Sequence, residues 1–91
     1  MRIDDIRFTP ASREMRRTGL IGWAMCRLDG RWQLDGISVR RRTDGSYTIS
    51  FPSRVDRSGF ERPYIKPLDA DTRAEIEEAI LAHLWRGAFI T

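Results

Sequence analysis

The densest chemistry in the sequence is Arg40-Arg41-Arg42, followed within twenty residues by Arg54, Arg57 and Arg62. Fifteen of the sixteen basic side chains are arginine, the exception being Lys66. A guanidinium presents a planar fork of donors that matches a phosphate or carboxylate and stacks on flat rings, which an ammonium does not. Arginine sets of this kind bind phosphate backbones with an affinity that falls steeply with salt. The same side chains could instead pair with Asp35, Asp44, Asp56 and Glu61 and solubilise the surface. A second basic group, Arg13, Arg16 and Arg17, lies in a segment without strand alternation. Trp23 and Trp32 could stack on bases, but with Met25 they read better as anchors of a subunit interface.

Catalytic material is sparse. His83 is the only histidine, and a general base or metal site built on it would need companions that the chain does not supply. Cys26 lies in an apolar run and reads as a small core residue, since reactive thiols need an accessible, electropositive setting. There is no nucleophile elbow and no glycine-rich phosphate loop. The expectation is a non-enzyme with no catalytic residue, no metal, no cofactor and no small-molecule substrate.

Ninety-one residues make one domain, 41% hydrophobic and 32% charged. A chain this short buries little more than about 60% of its unfolded surface, which makes oligomerisation a live expectation. Charge is unevenly spread: residues 1–68 carry 14 basic and 8 acidic side chains, residues 69–91 carry 2 and 5. No apolar run approaches a membrane span of roughly 20 residues, and Met1-Arg2-Ile3-Asp4-Asp5 lacks the apolar stretch of a secretory signal. With a single cysteine, this points to a cytoplasmic protein that does not insert into membranes.

The elements that must position these residues are mostly strands. Ile3 to Phe8 reads as a first strand, and residues 9–18 as a loop. Gly19 to Leu28 is apolar on both alternating sets, as expected of a strand covered on two faces. Asp29-Gly30 signals a hairpin, and the returning strand, Arg31 to Arg42, slips parity at Asp35-Gly36, where a β-bulge would restore the inward face. Asp44-Gly45 closes a second hairpin into Tyr47, Ile49 and Phe51, and Pro52 ends that strand. Residues 53–62 read as a polar loop and Pro63 to Leu68 as an edge strand. A helix follows over about 72–86: Thr72 and Glu75 make a capping-box pair, Ile76, Ala79, Ile80 and Leu84 an apolar stripe, and Gly87 a stop. The expectation is an α+β domain, an antiparallel sheet of four to five strands with one C-terminal helix packed on Tyr47, Ile49 or Phe51. One helix covers one face, so a homodimer burying the other face through Trp23, Met25 and Trp32 is expected.

The order of segments resembles the stage V sporulation protein G (SpoVG) family, the septation proteins. The likeness rests on Ile3-Asp4-Asp5-Ile6-Arg7-Phe8, Gly19 before a long apolar strand into Leu28-Asp29, and Asp35-Gly36-Ile37-Ser38-Val39. It continues through Phe51-Pro52-Ser53-Arg54, the Gly59 turn, Pro67-Leu68 and Thr72-Arg73. The resemblance implies a small α+β homodimer whose sheet extends between chains. It also implies a bacterial regulator that binds DNA or RNA and acts in septation, sporulation and gene expression. It places nucleic-acid contact near the C-terminal helix, which carries over as Arg54, Lys66 and Arg73. Glu75, Glu77 and Glu78 make this helix acidic and repellent to phosphate, so contact is expected chiefly through Arg40, Arg41, Arg42, Arg54 and Arg57. The rival expectation is a protein-interaction or assembly module in cell division without nucleic-acid binding.

Overall fold

A computed structural model describes residues 1–90. Four strands form an antiparallel meander in the order β1 (Ile3–Pro10), β2 (Leu20–Leu28), β3 (Trp32–Arg41) and β4 (Tyr47–Ser50), with a short helix α1 (Arg13–Arg17) between the first two. A separate two-stranded hairpin, β5 (Ser53–Val55) with β6 (Glu61–Pro63), follows, and then a long helix α2 (Ala70–Arg86). The fold is α+β, as the pattern of strands followed by one helix implies.

The turns follow from local chemistry. Asp29 and Gly30 both take positive φ, 54° and 64°, the requirement of a type I′ turn between twisted strands. At Asp35-Gly36 the pairing steps from Cys26↔Leu34 to Ala24↔Ile37, so β3 carries one extra residue and Gly36 takes φ 70°. That bulge is what returns Ile37 and Val39 to the covered face.

Alternation along β2 puts Gly22, Ala24 and Cys26 toward α2, where they are buried, and Trp23 and Met25 on the opposite, open face, where they are half-buried. Ile76, Ile80 and Leu84 of α2 join Ala24, Cys26, Leu34, Ile37, Val39 and Ile49 in one core, with Tyr47 and Phe51 packed against it. Burying each such large aliphatic side chain stabilises the fold by roughly 1.5–3 kcal/mol.

Two side chains one turn apart on α2 also fasten its edge strand. Arg73 Nη2 donates to the Ile49 carbonyl at 2.6 Å, and Glu77 Oε2 accepts from the Ile49 N–H at 3.4 Å. The pair lies 3.6 Å apart, and the Arg73 guanidinium sits 5.6 Å from the centre of the Phe51 ring.

Four sequence expectations are corrected. Residues 9–18 are not a loop: β1 runs to Pro10, and Ser12 caps α1 by accepting from the Met15 N–H at 3.2 Å. Residues 53–62 are not simply a polar loop, because Asp56 Oδ1 accepts from the N–H groups of Ser58 and Phe60 and so builds the turn that pairs β5 with β6. The strand expected over residues 63–68 shrinks to its first residue, as Pro67 and the pre-proline restriction at Lys66 disfavour a regular ladder. The helix starts two residues before Thr72, since Asp69 is the N-cap and accepts from the Thr72 N–H at 2.7 Å. Thr72 is therefore inside the helix rather than its cap.

Candidate nucleic-acid interface

β3 delivers Arg40, Arg41 and Arg42 to one end of the sheet, and α1 delivers Arg16 and Arg17 to the same end. Gly19 makes that meeting possible. Its φ is 99°, its carbonyl accepts from the Arg41 N–H at 2.7 Å, and an added Cβ would stand 2.8 Å from the Arg41 carbonyl oxygen. Only a glycine allows the end of α1 to close on β3 this tightly. The result is a shallow depression of about 310 Å³ lined by Arg16, Arg17, Arg41 and Arg42 with Thr18 and Thr43.

No carboxylate lines this depression, and among the described residues none of its four arginines is in an ion pair. Two acids are near in sequence: Glu14, two residues before Arg16 on α1, is in no ion pair among the described residues, and Asp44, two after Arg42, is engaged by the turn it stands in. Its Oδ1 accepts from the Ser46 hydroxyl at 2.6 Å and from the Ser46 N–H at 2.9 Å. Those Ser46 bonds, with a smaller contribution from the Arg42 charge, hold its carboxyl below the ordinary value. The Arg42 guanidinium donates to the Ser46 hydroxyl at 3.5 Å and is in no direct ion pair among the described residues. Arg40 stands opposite Leu20 and Thr48, and its guanidinium reaches the Thr18 carbonyl at 3.4 Å, on the rim of the depression. Four adjacent cations outside any direct ion pair among the described residues are a ready site for phosphate oxygens.

The remaining basic residues singled out in the sequence lie elsewhere. Arg54 and Arg57 are exposed on and beside the β5–β6 hairpin, without a carboxylate partner among the described residues. Asp56, which might have neutralised them, is taken by Arg62 at 2.9 Å and by its own turn; these bonds, Arg62 first, lower its pKa. Lys66 and Arg73 line a second depression with Ser50, Ser53, Phe51 and Glu61. There Arg73 is already committed to Ile49, Glu77 and Phe51.

Trp23 and Met25 share the open face of the sheet, opposite Ser38 and Arg7 respectively. Trp32 is apart from them. It opens β3 opposite Leu28, five residues along β2 from Trp23 or about 16 Å at ordinary strand rise, and is 72% exposed. Cys26 is fully buried, and burial raises its thiol pKa. His83 is half-buried in the last turn of α2. No group of three or more His, Cys, Asp or Glu is arranged to hold a metal ion among the described residues, and no helix is long and apolar enough to cross a membrane.

The sequence separates Arg16 and Arg17 from Arg40 to Arg42 by more than twenty positions. The signals that join them are Ser12, an N-cap residue three before Met15, and Gly19, placed where the chain turns back into β2. No protein-family model and no curated protein matches the chain.

Proposed function

We propose that this protein binds nucleic acid, gripping the phosphate backbone with Arg16, Arg17, Arg41 and Arg42 while Arg40 lines the approach. The observation that carries the reading is the depression walled by four arginines with no carboxylate in its lining. Contacts of this kind fix position on a backbone but carry no sequence information. In this reading Arg54, Arg57, Lys66 and Arg73 lie outside the grip and contribute little, and the septation and sporulation role implied by the resemblance would be exercised through such binding. The test is fluorescence anisotropy with labelled 20-nucleotide RNA and DNA at low and high salt. Binding that weakens with salt and is lost in Arg41→Glu/Arg42→Glu supports the reading, and no binding at low salt refutes it.

A second reading, self-association, is favoured by a separate observation. Val55, Phe60, Tyr64, Ile65 and Leu68 are large apolar side chains 46–92% exposed within one short stretch of chain. Such a concentration exceeds the scattered apolar exposure normal for a monomer surface. A homodimer in this reading buries this stretch; sedimentation at micromolar concentration showing only monomer refutes it.

A further inference from the structure

The open face of the sheet lies next to the arginine depression, and its residue types differ from those of an ordinary solvated face. Trp23 is at its centre, with part of its surface accessible. Across the sheet from it stand Thr9 on β1 and Ser38 on β3, and Ser38 pairs in turn with Ser50 on β4. Two residues beyond Ser38 is Arg40, about 7 Å farther along β3 at ordinary strand rise. That arginine reaches the Thr18 carbonyl at the rim of the depression. The face thus carries an aromatic ring with Met25 beside it along β2 and hydroxyls across the sheet, and at one end cations that are in no direct ion pair among the described residues.

The opposite end differs. There Asp5 pairs with both Arg7 (3.3 Å) and Arg27 (3.2 Å), so both guanidiniums are held to one carboxylate, which compensates one of their two charges. The arginines at that end are committed to a carboxylate, whereas Arg40 and those of the depression are in no ion pair among the described residues, and it is at their end that a phosphate chain would be held.

We infer that this face is a platform for single-stranded nucleic acid, with Trp23 stacking on a base while Arg40 and the adjacent arginine depression hold the flanking phosphates; the inference rests on the nucleic-acid reading above. Stacking on an aromatic side chain needs an unpaired base whose face is free. A duplex keeps its base faces inside the stack and could use only the arginines. Hydroxyls at Thr9, Ser38 and Ser50 offer donors and acceptors to exposed base edges without imposing a sequence. The site therefore prefers single strands over duplexes and tolerates many sequences.

The experiment uses the full chain with 12-nucleotide oligodeoxythymidylate, single-stranded or annealed to its complement, followed by anisotropy. A Trp32→Phe/Trp85→Phe background leaves Trp23 as the only tryptophan, so its emission reports contact directly. The expected results are at least tenfold tighter binding of the single strand and quenching of Trp23 emission on binding. Trp23→Ala should weaken binding by roughly 5- to 150-fold, the worth of about one stacked base, and Trp23→Phe, which keeps a ring, should recover most of it. The quenching in the background that retains Trp23 keeps the test valid should Trp23→Ala fold poorly. Equal binding of duplex and single strand, with no quenching but with loss in Arg41→Glu/Arg42→Glu, overturns the platform and leaves the arginine site standing. An emission shift that follows protein concentration alone means that a second copy covers the face, and it also overturns the platform. No binding of either probe overturns both readings.

Discussion

Removing charge from the arginine depression gives a prediction that can be worked to a number. Four guanidinium groups that are in no direct ion pair among the described residues line it, from Arg16, Arg17, Arg41 and Arg42. If each meets one phosphate, the plot of log affinity against log salt should have a slope of about −2.8 on a single strand, taking roughly −0.7 per phosphate, or about −3.6 on a duplex at −0.9. Raising salt from about 50 to 200 mM would then weaken single-strand binding by roughly 50-fold. Arg41→Ala/Arg42→Ala removes two of the four contacts, and the slope should fall to about −1.4. The comparison variant is Arg54→Ala/Arg57→Ala, which removes the same charge from the β5–β6 hairpin and should leave the slope near its starting value. Neither pair takes part in an ion pair among the described residues, so thermal stability should change little in both variants. The assay is an anisotropy titration at four or five salt concentrations for the three proteins. A slope unchanged in Arg41→Ala/Arg42→Ala but halved in Arg54→Ala/Arg57→Ala would refute the reasoning, because it would place the phosphates on the hairpin.

Two further predictions concern the scaffold. Ile80 is fully buried between α2 and the sheet, and Ile80→Ala should cost about 2–5 kcal/mol in a urea melt; a loss below about 1 kcal/mol would mean that the stripe is not packed as described. The Asp69 carboxyl is held below its ordinary value of 3.8 by the Thr72 N–H and hydroxyl at the start of α2. A depressed carboxyl stabilises the fold above its unfolded pKa and ceases to do so as pH falls through its folded pKa. Asp69→Ala should therefore lower the melting temperature near neutral pH and make its decline below about pH 4 shallower, as thermal scans from pH 6 to 2 would show.

How far the sequence carries depends on whether a feature is local. Asp29-Gly30 and the slip at Asp35-Gly36 announce themselves within a few residues, because each demands positive φ from residues able to take it. The stripe Ile76, Ile80 and Leu84 is equally legible, as helical spacing is a property of one segment. α1 is not legible, since a five-residue helix with no buried residue leaves no periodic trace. The β5–β6 hairpin escapes for another reason: its turn is built by the Asp56 side chain, and its three-residue strands are too short to show alternation. The arginine cluster was half legible. Arg40 to Arg42 stand out as a run, but their companions Arg16 and Arg17 come through the backbone contact between Gly19 and Arg41, which no residue pattern announces. Asp69 and Thr72 stand three residues apart and both types are good caps, so residue type alone does not decide which of them starts the helix.

The fastening of α2 to Ile49 also bears on how copies of this protein can meet. An edge strand with unpaired N–H and C=O groups is a template on which another strand can crystallise, whether in an orderly dimer or in an aggregate. At β4 that template is spoiled at Ile49, because Arg73 occupies the carbonyl and Glu77 the N–H. The other rim, β1, is interrupted by a register shift at Asp5, a non-glycine residue at φ 49°, and ends at Pro10, which has no N–H to offer. Both margins of the meander are thereby discouraged from growing strand by strand. Removing the clamp with Arg73→Ala/Glu77→Ala would open one margin, so the same two side chains that hold the helix in place also act as a guard against runaway sheet extension.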